Sequence, residues 1–270
     1  MSVDNRYPLV GVFDSGMGGL SVLREMHALL PGVDLIYVAD SAHVPYGEKS
    51  PEYILARSRA LTDFLVEQGV HLVTVACNTA TAAAGATLRV EYSVPIVGME
   101  PAVKPAMAAT RNGKVGVLAT TGTLASAKFA ALLTRYQGDK TVITEPCPGW
   151  VDAVERGELS GPRIDALVAR HVTPLIASGV DVLILGCTHY PFLRSIIEIV
   201  AGPNVTVIDT GAAVAKQVKA KLQDIGFASS GGRVGAARFY TSGDPIEAAP
   251  VFHALWQEDA DVLALPAGYR

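Results

Sequence analysis

Short runs of β-branched and leucine residues alternate with longer helix-patterned segments along almost the whole chain, and this alternation leaves few folds open. Residues 9–13, 35–39, 72–76 and 96–98 read as buried strands. The segments near 18–30, 51–68 and 79–92 carry helix formers with apolar residues at i, i+3 and i+4. The cycle restarts at 115–119 and runs through 142–144, 182–186 and 205–209. A last strand, helix and strand fall near 237–241, 245–257 and 261–265, and residues after Ala267 are expected to fray. Repeated βα units predict an α/β fold with parallel sheets covered by helices on both faces. Half of the 270 residues are apolar and 18% are charged, which is enough to fill such cores and argues against disorder.

The second half echoes the first. Val10-Gly11-Val12-Phe13-Asp14-Ser15-Gly16 resembles Val115-Gly116-Val117-Leu118-Ala119-Thr120-Thr121-Gly122, and a strand ending in cysteine follows each at a similar distance. The expected arrangement is two related domains facing each other across a cleft, 1–98 plus 210–270 and 99–209. The chain would cross near 97–105 and again near 208–211.

Lys and Arg total 22 against 26 Asp and Glu, a net charge of −4, with no basic run, so nucleic acid is not an expected primary partner. The polar start of the chain reads as no signal peptide, and no apolar stretch has membrane-spanning length. Three cysteines in a chain this long do not make a disulfide framework. A cytoplasmic protein with reduced thiols is the expectation.

Two of those cysteines hold matching positions. Cys77 follows the run 72–76 and leads into Asn78-Thr79-Ala80; Cys187 follows 182–186 and leads into Thr188-His189-Tyr190-Pro191. Each reads as a thiol at a strand's C-terminal end and a helix entrance, where parallel sheets bind ligands. A helix N-terminus there would lower the thiol's pKa. Cys77 is alternatively a small buried thiol, with Asn78 and Thr79 offering polar groups to a ligand. Cys187 with His189 permits a nucleophile–base pair, as in a thiol hydrolase. A zinc site would need more ligands than the spacing of His27, His43, His71, His171 and His253 provides. The loop Asp14-Ser15-Gly16-Met17-Gly18-Gly19 permits tight turning with amides directed at an anion, or a simple helix cap. It matches neither a dinucleotide fingerprint nor a P-loop. Pro45-Tyr46-Gly47 is a turn on the same sheet edge. Glu155 reads as a solvated helix-end carboxylate; Thr120, Thr121 and Thr123 read as caps or ligand donors. Cys147 reads as a structural thiol.

Together, Asp14-Ser15-Gly16 with Gly18-Gly19, Pro45-Tyr46-Gly47, 76–80 around Cys77 and 186–191 around Cys187 resemble the glutamate racemases of the cofactor-independent aspartate/glutamate racemase superfamily. Ala39-Asp40-Ser41 stands where many members carry Gly-Asp-Thr, and Met17 replaces a more usual β-branched residue. The resemblance implies two α/β domains related by a pseudo-twofold axis, with the active site between them. It also implies interconversion of L- and D-glutamate without metal or other cofactor, supply of D-glutamate for peptidoglycan, and a homodimer. On the matching positions, Cys77 and Cys187 would be the acid/base pair, Asp14 would assist Cys77, His189 would assist Cys187, and Glu155 would be a further assisting carboxylate. Ser15, Tyr46, Gly47, Asn78, Thr79, Thr121 and Thr188 would hold the substrate, together with Asp14 and His189.

Such chemistry needs one thiolate and one thiol, because a proton leaves one face of Cα and another arrives on the opposite face. A free thiol is only about 3% ionised at pH 7, so its surroundings must adjust that fraction. The competing readings are an aspartate or broad-specificity racemase, a Cys187–His189 thiol hydrolase, and a non-catalytic glutamate-binding protein.

Overall fold

The computed structural model describes residues 7–227 and 232–270. The start of the chain read as lacking a signal peptide therefore lies largely outside the described residues. The first half contains β1 (Leu9–Asp14), α1 (Leu20–Leu29), β2 (Asp34–Ala39), α2 (Pro51–Glu67), β3 (Leu72–Val75), α3 (Asn78–Glu91) and β4 (Ile96–Val97). The chain continues through α4 (Val103–Ala109), β5 (Lys114–Ala119), α5 (Thr121–Leu124), α6 (Ala127–Tyr136), β6 (Thr141–Pro146), α7 (Trp150–Glu155), α8 (Pro162–Ala177), β7 (Val182–Leu185), α9 (Arg194–Ala201) and β8 (Thr206–Ile208). It closes with α10 (Gly211–Asp224), β9 (Ala237–Thr241), α11 (Pro245–Trp256) and β10 (Val262–Ala264).

Two sheets result, with strand orders β10-β9-β2-β1-β3-β4 and β6-β5-β7-β8. Every pairing among them is parallel. The order β2-β1-β3-β4 recurs as β6-β5-β7-β8, so the sequence echo is an echo of topology. β9 and β10 extend only the first sheet.

The repeat reaches into local chemistry. α2 and α8 each end at a glycine with positive φ, Gly69 at 78° and Gly179 at 82°, a conformation that is inexpensive only without a Cβ. The next residues close the same turn, Val70 N–H donating to Leu65 and Val180 N–H to Leu175, both at 3.4 Å. Each turn feeds the strand that ends at a cysteine. On the central strands, a Cβ on Gly11 would meet Leu65 at 2.9 Å and one on Gly116 would meet Leu183 at 2.7 Å and Leu175 at 3.2 Å. The missing side chains let α2 and α8 lie close over their sheets.

Two local expectations change. The chain after Cys187 does not enter an α-helix. Tyr190–Leu193 form a 3-10 turn, with Tyr190 N–H donating to Cys187 and Phe192 N–H to His189, and α9 starts only at Arg194. The C-terminus is docked, not frayed. Ala267–Tyr269 make a 3-10 turn, Arg57 donates to the Tyr269 carbonyl at 2.7 Å, and the Tyr269 ring lies 5.5 Å from that of Phe64. Among the described residues, no helix is long and apolar enough to cross a membrane.

Candidate active site

The C-terminal ends of β1 and β3 from one sheet, and of β5 and β7 from the other, converge on one narrow cavity. Ser15, Pro45, Tyr46, Gly47, Cys77, Asn78 and Thr79 line it from one side of the chain repeat; Thr120, Val151, Gly186, Cys187, Thr188 and His189 line it from the other. Each sheet thus contributes one thiol. A surface depression elsewhere, bordered by Leu30, Lys219, Phe227 and Arg233, has no thiol, histidine or carboxylate among the described residues of its lining.

Cys77 caps α3. Its Sγ accepts the Ala80 N–H at 3.4 Å and donates to the Ser15 hydroxyl at 3.9 Å. The sequence led us to expect a lowered thiol pKa here; the structure reverses the sign. Burial pushes the Cys77 thiol well up, the negative charge of Asp14 adds to the rise, and the helix-end amide recovers only part of it. Asp14 is itself fully buried, and burial raises its carboxyl above the ordinary carboxylate range although the His189 cation opposes this.

The glycine loop is also differently used. Three of its amides are taken by protein carboxylates and not left for an outside anion. Asp14 accepts the N–H groups of Ser15 and Gly19, each at 2.7 Å, and Glu155 accepts that of Met17 at 2.6 Å. A Cβ on Gly18 would overlap the His189 ring and one on Gly16 would overlap the Glu155 carboxylate, so both glycines are required by close approach.

Glu155 is not a solvated helix end. Trp150, Val151, Ala153 and Val154 bury one face of α7, which fixes the helix so that its last residue reaches inward. Glu155 then bonds His189 Nε2 at 2.6 Å, and His189 Nδ1 lies 3.6 Å from Cys187 Sγ. Burial disfavours the His189 cation, but its hydrogen bonds with Cys187 and Glu155 outweigh burial and hold the ring's pKa well above the usual value. Thr188 donates to Asp14 at 3.1 Å, which ties the Cys187 loop to the glycine loop.

Asn78 is 4% exposed and lines the cavity, yet neither its amide nitrogen nor its oxygen has a partner. Buried polar atoms left unsatisfied cost free energy, so such an amide is an open position for a polar ligand. The Thr79 hydroxyl is instead shared with Thr120 at 3.0 Å and Thr123 at 3.1 Å. Thr121 is exposed and borders a neighbouring depression; Thr120 takes the place on the cavity wall and caps α5 through the Thr123 N–H. Cys147 lies behind the wall, donating to the Glu145 carbonyl at 3.4 Å. Val151 lines the cavity without any signal in the sequence. Among the described residues, no group of three or more His, Cys, Asp or Glu could hold a metal.

The model of the Asp/Glu/Hydantoin racemase family matches residues 10–218, a span that includes both thiols and every residue on the cavity wall. The chain belongs to that family. It is therefore an isomerase of the racemase type. It is 56% identical over 254 residues to the glutamate racemase of Pseudomonas paraeruginosa, covering 94% of this chain and 96% of the relative. The crystal structure of glutamate racemase isoform RacE1 from Bacillus anthracis superimposes with a TM-score of 0.89 at 30% identity, covering 98% of this chain and all of that one. The Escherichia coli glutamate racemase, solved with L-glutamate and the activator UDP-MurNAc-Ala, matches with a TM-score of 0.84 at 31% identity, over 96% of this chain and 97% of that one. This racemase family's two-domain α/β architecture is thus the architecture found here.

Proposed function

We propose that the chain interconverts L- and D-glutamate by a cofactor-independent two-thiol mechanism and supplies D-glutamate for peptidoglycan synthesis. The observation that carries this reading is the pair of thiols, one from each sheet, on the wall of a single cavity. The names of the relatives support glutamate as the substrate. The reading places the enzyme in the cytoplasm, as a homodimer, with domains 1–98 plus 210–270 and 99–209.

In each direction one thiolate takes the proton from Cα and the other thiol returns a proton to the opposite face. The two ends are not equivalent. Burial and Asp14 favour a protonated Cys77, which suits it to give a proton. To act as the base it must shed that proton, and Asp14, with its raised pKa and its interaction with Cys77, is a fitting acceptor. At the other end the His189 cation, backed by Glu155, stands beside Cys187 Sγ and offers an opposite charge when a thiolate forms there. The Cα carbanion needs stabilisation from fixed donors and exclusion of water. Asn78, with both amide atoms free, supplies one such donor, whereas the Ser15 and Thr188 hydroxyls already donate to Asp14.

Either enantiomer incubated in heavy water should gain deuterium at Cα while optical rotation falls to zero. Clean enzyme that exchanges neither enantiomer sinks the reading. Cys77→Ala and Cys187→Ala should each lower racemisation by about 10²–10⁴-fold, the usual worth of a positioned acid or base. Near-normal turnover in Cys77→Ala would favour the Cys187–His189 thiol hydrolase instead.

A further inference from the structure

The wall that carries Tyr46 and Gly47 is held by a buried ionic network that begins at the C-terminus. Tyr46 lines the cavity and is 1% exposed, and its hydroxyl donates to Asp40 Oδ2 at 2.5 Å. Asp40 is completely buried and receives Arg57 twice, from Nε at 3.0 Å on Oδ2 and from the terminal nitrogen at 2.8 Å on Oδ1. The same terminal nitrogen of Arg57 donates to the Tyr269 carbonyl at 2.7 Å. Asp40 also donates its backbone N–H to the Asp14 carbonyl at 3.0 Å, so it joins two elements of the site. A bidentate guanidinium–carboxylate pair fixes orientation as well as charge.

The position of this wall matters because it meets the other half of the molecule backbone to side chain. A Cβ on Gly47 would meet the Thr120 Cβ at 2.9 Å, and one on Gly122 would meet the Gly47 carbonyl oxygen at the same distance. No slack remains there for Tyr46 to drift.

We propose that Asp40 and Arg57 are positioning residues for substrate binding, holding the Tyr46–Gly47 wall against Thr120, with the Tyr269 carbonyl as the outer anchor of the network. This deepens the glutamate racemase reading and rests on it for the substrate. Neither Asp40 nor Arg57 lines the cavity, so their action is through Tyr46. Substrate affinity, more than the proton-transfer step, is the quantity they control.

The test compares Arg57→Ala, Arg57→Lys and Tyr46→Phe with Arg59→Ala, a change on the same helix as Arg57 that breaks an exposed bidentate pair with Glu91 of α3. Arg57→Ala should raise KM for glutamate by about five- to tenfold with kcat changed less than about twofold, Arg57→Lys should recover part of the loss, and Arg59→Ala should leave both constants alone. Tyr46→Phe should raise KM in the same direction, and the double variant should fall short of the product of the two effects, because both act through one loop. Hydrogen exchange at amides 46–49 should rise in Arg57→Ala and not in Arg59→Ala, with or without glutamate. That readout is independent of the substrate, so it decides the proposal even if the parent enzyme racemises something else. Unchanged loop exchange, or an unchanged KM in folded Arg57→Ala, overturns it; should Arg57→Ala fail to fold, Tyr46→Phe carries the same two measurements.

Discussion

At Cys77 two effects of similar origin oppose each other, and the structure decides between them. A helix N-terminus favours a thiolate, while a dry environment and a nearby carboxylate favour the thiol. Here the second pair wins, because the residue that caps the helix is also buried within reach of the Asp14 charge. Cys187 has a different companion, the His189–Glu155 pair. The His189 pKa is raised by its partners, so its protonation stabilises the fold fully below the ordinary histidine value near about 6.5, and that contribution is lost as pH climbs through the raised folded value. Glu155→Gln should bring the His189 titration down, so that the loss ends at a lower pH and is smaller. Ring titration by NMR, with melting temperature followed against pH, checks this; a wild-type His189 that titrates at or below the ordinary value refutes it. The residue types at the site were legible in the sequence, since Asp14, Cys77, Cys187 and His189 stand at strand ends. Their charges were not, because desolvation depends on what covers them.

At the scale of elements, most strands fall within a residue or two of their expected bounds, since β-branched runs bounded by glycine or a polar residue carry the signal locally. The segment after Cys187 shows where that signal misleads. Tyr190, Leu193, Ile196 and Ile197 follow a helical pattern and are all buried, yet the first of these belong to a 3-10 turn. The i to i+3 bonds from Cys187 and His189 tighten the chain there, while the His189 side chain is engaged by Glu155. Apolar spacing records which residues face the core and not which hydrogen bonds the backbone makes. The central-strand glycines give an element-scale prediction. In Gly116→Ala the new methyl would press on Leu183 and Leu175, and should cost about 1–3 kcal/mol in urea unfolding, the usual penalty for overpacking. A change under a few tenths would mean that α8 shifts freely over its sheet.

For the whole molecule, the site exists only where the two sheets' ends meet. Thr79 shares hydroxyl bonds with Thr120 and Thr123, Thr188 bonds Asp14, and Ser21 donates to the Thr188 carbonyl at 2.8 Å. Gly122 lies against the Gly47 carbonyl, a backbone neighbour that no rotamer change can move aside. Gly122→Ala should therefore force the two walls apart by a few tenths of an ångström and lower kcat/KM by about tenfold, with little change in melting temperature. Wild-type kcat/KM in that variant would show that the wall tolerates the displacement. By itself the sequence determined the βα alternation, its duplication and the placing of a thiol at the end of one strand in each half, because these are properties of local pattern. Only the tertiary structure decided that both thiols share one cavity, that Thr120 and not Thr121 stands on its wall, and that the glycine loop's amides serve Asp14 and Glu155. Those outcomes depend on burial and on distances between residues far apart in the chain, 138 positions for Glu155 and Met17, which no local pattern encodes.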